Sequence, residues 1–159
     1  MVHVLDFAAR KQHHVTRSTF AAELFAACDG VDQAYLIALT LHELHSGCRG
    51  ASHGRRLREE GSLAFQLWLA IDAMSVFAAV SAEAVKVPTE KSPLSHVQWL
   101  RELADRGLLS GIAWVDTRDM LADGLTKGSV ERTLIDAAMN GQWATQHEPK
   151  LWRSTLATR

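Results

Sequence analysis

Apolar residues recur along this chain at two different spacings, and each spacing predicts a kind of element. Between residues 18 and 45 they return every three or four positions, which predicts a helix of roughly 25 residues. Residues 63–71 and 108–115 are almost continuously apolar, as strands buried on both faces are. Residues 2–8 alternate loosely and are rich in β-forming side chains, so they predict a first strand.

Shorter patterns complete the predicted order of elements. Four more helices are predicted, at residues 73–84, 94–106, 118–127 and 130–139. Residues 46–62 contain four Gly and four Arg, which predicts a solvated loop. Residues from 141 onward have weak periodicity and are predicted to be extended or irregular. Strands joined by helices favour a three-layer α/β architecture.

Composition narrows the class of protein. The 159 residues are 47% apolar and 22% charged, which is typical of one folded domain. The net charge of −1 provides no global positive field, so binding to nucleic acid would depend on local basic patches. The two cysteines form no disulfide framework, which indicates a reduced, intracellular protein in the cytoplasm or nucleus. No apolar run reaches the roughly 18 residues of a membrane span, so no membrane contact is expected.

Three acidic residues occupy positions that suit metal binding or catalysis. Asp72 follows a buried strand, Asp123 lies in the helix after the last strand, and Glu23 lies in the long helix. Ligands of α/β sheets gather at the carboxyl ends of strands, and carboxylates are natural ligands of Mg²⁺. Simpler interpretations stay open: Asp72 as a helix cap, Asp123 as a solvated carboxylate with Asp119 as its competitor, and Glu23 at the edge of an apolar stripe.

Four segments resemble the ribonuclease H domain of copia-type LTR retrotransposon polyproteins. They are residues 11–24, 71–77, 94–102 and 117–127. The last is the most specific, because it is similar to the family's T....ADILTK motif. The segments follow the family's order over residues 5–128, so the chain resembles an N-terminally truncated member.

The resemblance implies a fold, a reaction and a set of site residues. The family has the ribonuclease H fold and uses Mg²⁺ (or Mn²⁺) to hydrolyse the RNA strand of RNA–DNA hybrids. By motif position, the catalytic and metal-binding carboxylates would be Glu23, Asp72 and Asp123. Four basic residues before the long helix would contact the hybrid: Lys11, His13, His14 and Arg17.

The chain departs from the family at its start. The family's first two strands, with the first catalytic aspartate, have no counterpart, so we expect an incomplete mixed sheet flanked by helices. We expect residues 1–140 to form this truncated domain and residues 141–159 to form a C-terminal tail. Hydrolysis should be weak or lost. The alternatives are a non-catalytic remnant that binds nucleic acid or protein, and an unrelated α/β domain whose acidic residues cap helices.

The missing strands have a further consequence. In the family sheet they would lie between the strand at residues 2–8 and the strand at residues 63–71, so their absence leaves unpaired backbone. We expect the first strand to move over to the central strand, or the protein to associate with itself or with a partner that supplies the strands.

Overall fold

A small mixed sheet flanked by helices forms the centre of the protein. The computed structural model describes residues 4–8, 16, 18–84, 92–126, 133–142 and 144–157. Its strands are β1 (Leu67–Ile71), β2 (Leu109–Trp114) and β3 (Lys150–Trp152), in the order β1-β2-β3. β1 and β2 are parallel, and β3 is antiparallel to β2.

Helices surround this sheet and fill most of the described chain. They are α1 (Thr19–Ser46), α2 (Ala51–Glu60), α3 (Met74–Ser81), α4 (Ser92–Asp105), α5 (Asp123–Thr126) and α6 (Thr133–Met139). A 3-10 turn at Thr117–Asp119 follows β2. The strands predicted at residues 63–71 and 108–115 and the helices predicted at residues 73–84 and 94–106 are therefore confirmed, with their ends displaced by a few residues. Burial on both faces is not found for β1, where only Ile71 is buried and Ala70 is exposed.

The long helix α1 begins and ends at local signals in the sequence. The Ser18 hydroxyl accepts a hydrogen bond from the Ala21 N–H at 3.2 Å, which satisfies one unpaired donor of the first turn. Gly47 ends the helix at φ +84°, where a side chain would be strained. The predicted helix is confirmed, and it continues through Gly30 without interruption.

One apolar core joins α1, α3 and α4 to the sheet face that carries Ile71 and Ile112. Its most deeply buried members come from all three helices and from β2: Leu24, Val76, Val80, Val97, Leu100 and Ile112. Burial of these side chains is the main driving force that holds the helical layer on the sheet. By length and composition α1 could also cross a membrane, but a helix at the centre of a globular core has the same properties.

The opposite face of the sheet is less covered. The register places Trp68 beside Gly111 and Leu151 beside Ala113, with their side chains on that face. The Trp68 ring lies over Gly111, where an added Cβ would come within 2.7 Å of the ring. Arg153 then covers the ring, with its guanidinium 4.7 Å from the ring centroid.

The prediction of a loop over residues 46–62 is wrong for α2. Gly54 lies against α1 so closely that a Cβ there would meet the Leu39 side chain at 3.4 Å. The Tyr35 hydroxyl donates to the Gly54 carbonyl oxygen at 3.0 Å, and Leu57 is buried. The glycines and arginines suggested a loop, but these contacts with α1 stabilise a helix.

The prediction of a strand over residues 2–8 is wrong for its described part, residues 4–8. This segment has no strand pairing, and Leu5 and Phe7 are 65% and 71% exposed. Asp6 accepts a hydrogen bond from the Gln33 side chain at 3.2 Å, which ties the segment to α1. A β-forming sequence becomes a strand only when a neighbouring strand supplies hydrogen bonds, and no described residue does so here.

The chain after β2 differs in detail from the prediction. In place of one helix over residues 118–127 there are the 3-10 turn and the short helix α5. The helix predicted at residues 130–139 is present as α6, from Thr133. The tail contributes β3 to the sheet, in agreement with its extended prediction. Residues 127–132 and 143 lie outside the described part of the chain.

Candidate functional site at the carboxyl end of the parallel strands

The two parallel strands end side by side, and acidic residues follow both. The Val115 N–H donates to the Ile71 carbonyl oxygen at 2.9 Å, and the Trp114 indole N–H donates to the Asp72 carbonyl oxygen at 2.8 Å. Asp72 and Asp116 therefore leave neighbouring strands at one edge of the sheet. This is the edge at which α/β sheets bind ligands.

Asp72 is a half-buried carboxylate at this edge. It makes no side-chain hydrogen bond or ion pair with any residue of the described ranges. The position before α3 is occupied by Ala73, and no side chain caps this helix. The simpler interpretation of Asp72 as a helix cap is therefore not supported.

Asp116 is committed to a neighbour instead. Its Oδ1 accepts hydrogen bonds from the backbone N–H of Arg118 at 3.0 Å and from Nε at 2.8 Å, while Oδ2 accepts from Nη2 at 2.9 Å. These hydrogen bonds hold the pKa of Asp116 well below its usual range. Asp116 therefore stays charged and paired, and the sequence analysis had not singled it out.

Asp119 is the most deeply buried carboxylate of the described residues, with 2% exposure. Its Oδ2 lies 2.8 Å from the backbone nitrogen of His147, which donates to it, and 3.1 Å from the ring Nδ1. Burial raises the pKa of Asp119, but hydrogen bonds from the backbone N–H groups of His147 and Gln146 and from the His147 ring outweigh it, so the pKa is lowered. Asp119 thus anchors the C-terminal part of the chain.

The three carboxylates expected to hold Mg²⁺ are not gathered into a metal site. Glu23 is exposed on α1, whereas Asp72 and Asp123 are half-buried beyond β1 and at the start of α5. Within the described ranges, no three His, Cys, Asp or Glu side chains are grouped so that they could hold a metal ion. Glu23 and Asp123 also have other interactions within the chain. The assignment of these three residues to the pair of Mg²⁺ ions implied by the resemblance therefore stays a prediction.

The basic residues expected to contact a hybrid lie outside the described residues; they are Lys11, His13, His14 and Arg17. A different cation lies at the candidate site. Lys150 pairs with Trp114 across β3 and β2, and its ammonium nitrogen is 5.3 Å from the Trp114 ring centroid. This pair could not be found from the sequence, because 36 positions separate the two residues along the chain and the β2–β3 pairing brings them together.

A groove lies between α1 and α4. Its volume is about 350 Å3, and it is lined by Phe25, Cys28, Asp29, Asp32, Ser95, His96 and Trp99. Burial, and then the charges of Asp29 and Asp32, raise the pKa of the Cys28 thiol to about 12. The thiol is therefore neutral and unreactive at physiological pH. The acidic lining also makes this groove unsuited to phosphate.

Comparisons with known proteins assign the chain to no family. The chain matches no protein-family model, no curated protein and no solved structure. The family resemblance therefore depends on the four sequence segments alone.

Proposed function

We propose that this protein is a ribonuclease H-like domain of retroelement type that binds RNA–DNA hybrids and hydrolyses them weakly or not at all. The fold is compatible with this proposal, because two parallel strands are connected through helices and Asp72 follows the first of them. The order of the family-like segments along the chain supports it as well.

The observation that carries hybrid binding is the Lys150–Trp114 pair beside Asp72. Cations that contact phosphates provide affinity independent of sequence, and aromatic rings can stack on bases. Arg118 adds a second cation at this edge, with a side chain that is 70% exposed. Asp116 neutralises part of its charge, so Lys150 is expected to be the stronger phosphate contact.

Weak or absent hydrolysis is supported by the arrangement of the carboxylates. Hydrolysis of this type needs two metal ions that clamp the scissile phosphate. Glu23, Asp72 and Asp123 are not grouped for that task within the described chain. Asp72 is the carboxylate best placed to contribute to a metal site completed by other groups, since it is half-buried at the strand ends.

Hybrid binding is tested by fluorescence anisotropy with a labelled RNA–DNA duplex at several salt concentrations. Lys150→Gln should weaken binding and lower the slope of log affinity against log salt by about 1. Arg106→Gln is the matched control, because Arg106 pairs with Glu102 near the opposite, amino end of β2 and should not contact the hybrid. Equal losses in both variants would contradict binding at the strand ends.

Hydrolysis is tested in the same samples by adding Mg²⁺ or Mn²⁺ and separating the products on a gel. We expect little or no cleavage by the wild type, by Asp72→Asn or by the control Asp136→Asn, whose carboxylate is exposed on α6. Strong cleavage that only Asp72→Asn abolishes would overturn the non-catalytic part of the proposal and favour the enzyme.

A further inference from the structure

β1 is an edge strand whose outer side is not paired. It bonds to β2 on one side, and no residue in the described ranges pairs with it on the other. Its side chains Leu67 and Leu69 pack against the core yet are only half-buried, unlike the buried Ile71. An edge of this kind offers a row of backbone N–H and C=O groups to another extended segment.

The same chain contains an exposed segment suited to that edge. Residues 4–8 have no strand partner, and Val4, Leu5 and Phe7 are 40%, 65% and 71% exposed. In an extended conformation Leu5 and Phe7 would lie on one face, with Asp6 on the other. The segment's side-chain contact with α1 is one hydrogen bond, from Gln33 to Asp6, between exposed groups. Such a bond holds a segment only weakly.

We propose that the protein forms a dimer in which residues 4–8 of one copy pair along the outer edge of β1 in the other. Pairing would satisfy backbone groups of both, and it would bring Leu5 and Phe7 beside the half-buried leucines of β1. A two-fold axis makes this exchange twice in each dimer, so the β1 edge of each copy is covered.

A second copy is the favoured occupant because, within one copy, the hydrogen bond from Gln33 holds the segment against α1 and not along β1. In a single copy the apolar segment is tied to α1 through Gln33, while the edge that it fits is unfilled by any described residue. Exposed apolar side chains in helices do not share this property. Leu44 and Met139, for example, lie in helices, which cannot extend a sheet.

The first test measures molar mass by light scattering over a wide range of protein concentration. The wild type should shift from monomer to dimer as concentration rises. Phe7→Lys should raise the dimer dissociation constant by roughly tenfold or more, because it removes apolar burial from the pairing. Leu44→Lys is the matched control, since Leu44 is 79% exposed on α1, eleven positions beyond Gln33, and the substitution should leave the constant unchanged. A wild type that is monomeric throughout, or equal effects of the two variants, would overturn the proposal.

The second test identifies the partner surface by disulfide formation. In a Cys48→Ser background, a Phe7→Cys protein is mixed with a Leu67→Cys or a Leu69→Cys protein and oxidised. Neighbouring strands bring Cβ atoms within reach of a disulfide, so one of the two mixtures should form a cross-linked pair of chains. Leu151→Cys on β3 is the control partner, because it is exposed on the other side of the sheet and should not cross-link.

Two outcomes of the second test would contradict the exchange. Equal cross-linking to Leu151→Cys would mean that the segment makes random collisions. A variant with both cysteines in one chain that yields only an internal disulfide and a monomer would mean that the segment covers the edge of its own copy.

Discussion

The helical layer and the C-terminal arm are held by different forces. The helical layer comprises α1, α3 and α4 on the sheet, and residues such as Leu24, Val80 and Leu100 are fully buried in it. The C-terminal arm comprises residues 116–154, and two of the three buried side chains in its described part, Asp119 and Ser154, are polar. Apolar burial thus positions the layer, whereas specific hydrogen bonds position much of the arm.

This difference determines how each region responds to change. Apolar burial is not directional and is shared among many contacts, so the loss of one side chain leaves a cavity but keeps the arrangement. The arm depends on a few polar pairs, such as His147 with Asp119 and Ser154 with Asp105. A buried polar group that loses its partner keeps the cost of its desolvation, so one substitution there can release a whole segment.

The largest expected effect is in the helical layer. Leu100→Ala should lower the free energy of unfolding by about 2–5 kcal/mol, because it removes a fully buried side chain and leaves a cavity. Denaturation by urea, followed by circular dichroism, measures this loss. Leu44→Ala on the exposed side of α1 is the control and should change stability by less than about 0.5 kcal/mol. Similar losses in both variants would mean that the core is not where the fold places it.

A smaller and more local effect is expected in the arm. Asp119→Asn should reduce hydrogen-exchange protection of the Gln146 and His147 amides, because the charged acceptor is lost. Amides of α4 should keep their protection. The control is Asp136→Asn, whose carboxylate is exposed on α6. Loss of protection throughout the core in Asp119→Asn would show that the arm and the layer unfold together.

The pH dependence of the contact between Asp119 and His147 follows from the direction in which the fold shifts the pKa of Asp119. The pKa of Asp119 is lower in the folded protein than the ordinary value of 3.8, so its contribution is fully present above that value. It is lost as the pH falls below 3.8 through the lower, folded value. The His147 amide of the wild type should lose protection in that acid range, and the Asp119→Asn variant should show no such transition.

The smallest expected effect is a difference between the rates at which the two cysteines react with a thiol reagent. Cys48 is exposed and should react with a thiol reagent at once, whereas Cys28 is buried and has a pKa raised to about 12. Reaction of Cys28 at neutral pH should therefore be limited by opening of the helical layer. Labelling of a Cys48→Ser protein isolates this rate, and Leu100→Ala should increase it. Equal labelling rates for the two cysteines would contradict the burial of Cys28.

The candidate site shows how far a local pattern reaches. The sequence placed Asp72 at the end of a buried strand, which is its position beyond β1. It assigned Asp123 to the site, with Asp119 four positions earlier as its competitor, and this assignment stays a prediction. The fold buries Asp119 against His147, which is 28 positions from Asp119 along the chain. No periodicity carries information about a contact at that separation.

The two helices at the start of the fold show the same limit. α1 was predictable because Ser18, Gly47 and the recurring apolar residues all lie within its own segment. α2 was not, because its composition resembles a loop and its helix is stabilised by Tyr35 and Leu39 of α1. Local signals therefore identify an element when its own segment determines its structure. They fail when contacts with distant residues determine it.

The sequence by itself determined the long helix, the two apolar strands and the helices α3, α4 and α6, because their periodicity, and the caps of α1, are local properties of the chain. Tertiary structure alone decided that residues 51–60 are helical, that residues 4–8 are unpaired, and which carboxylate is buried. Each of these depends on a partner distant along the chain. Hydrogen-bond acceptors and neighbouring strands are supplied by the fold, and a residue's own neighbours in sequence do not specify them.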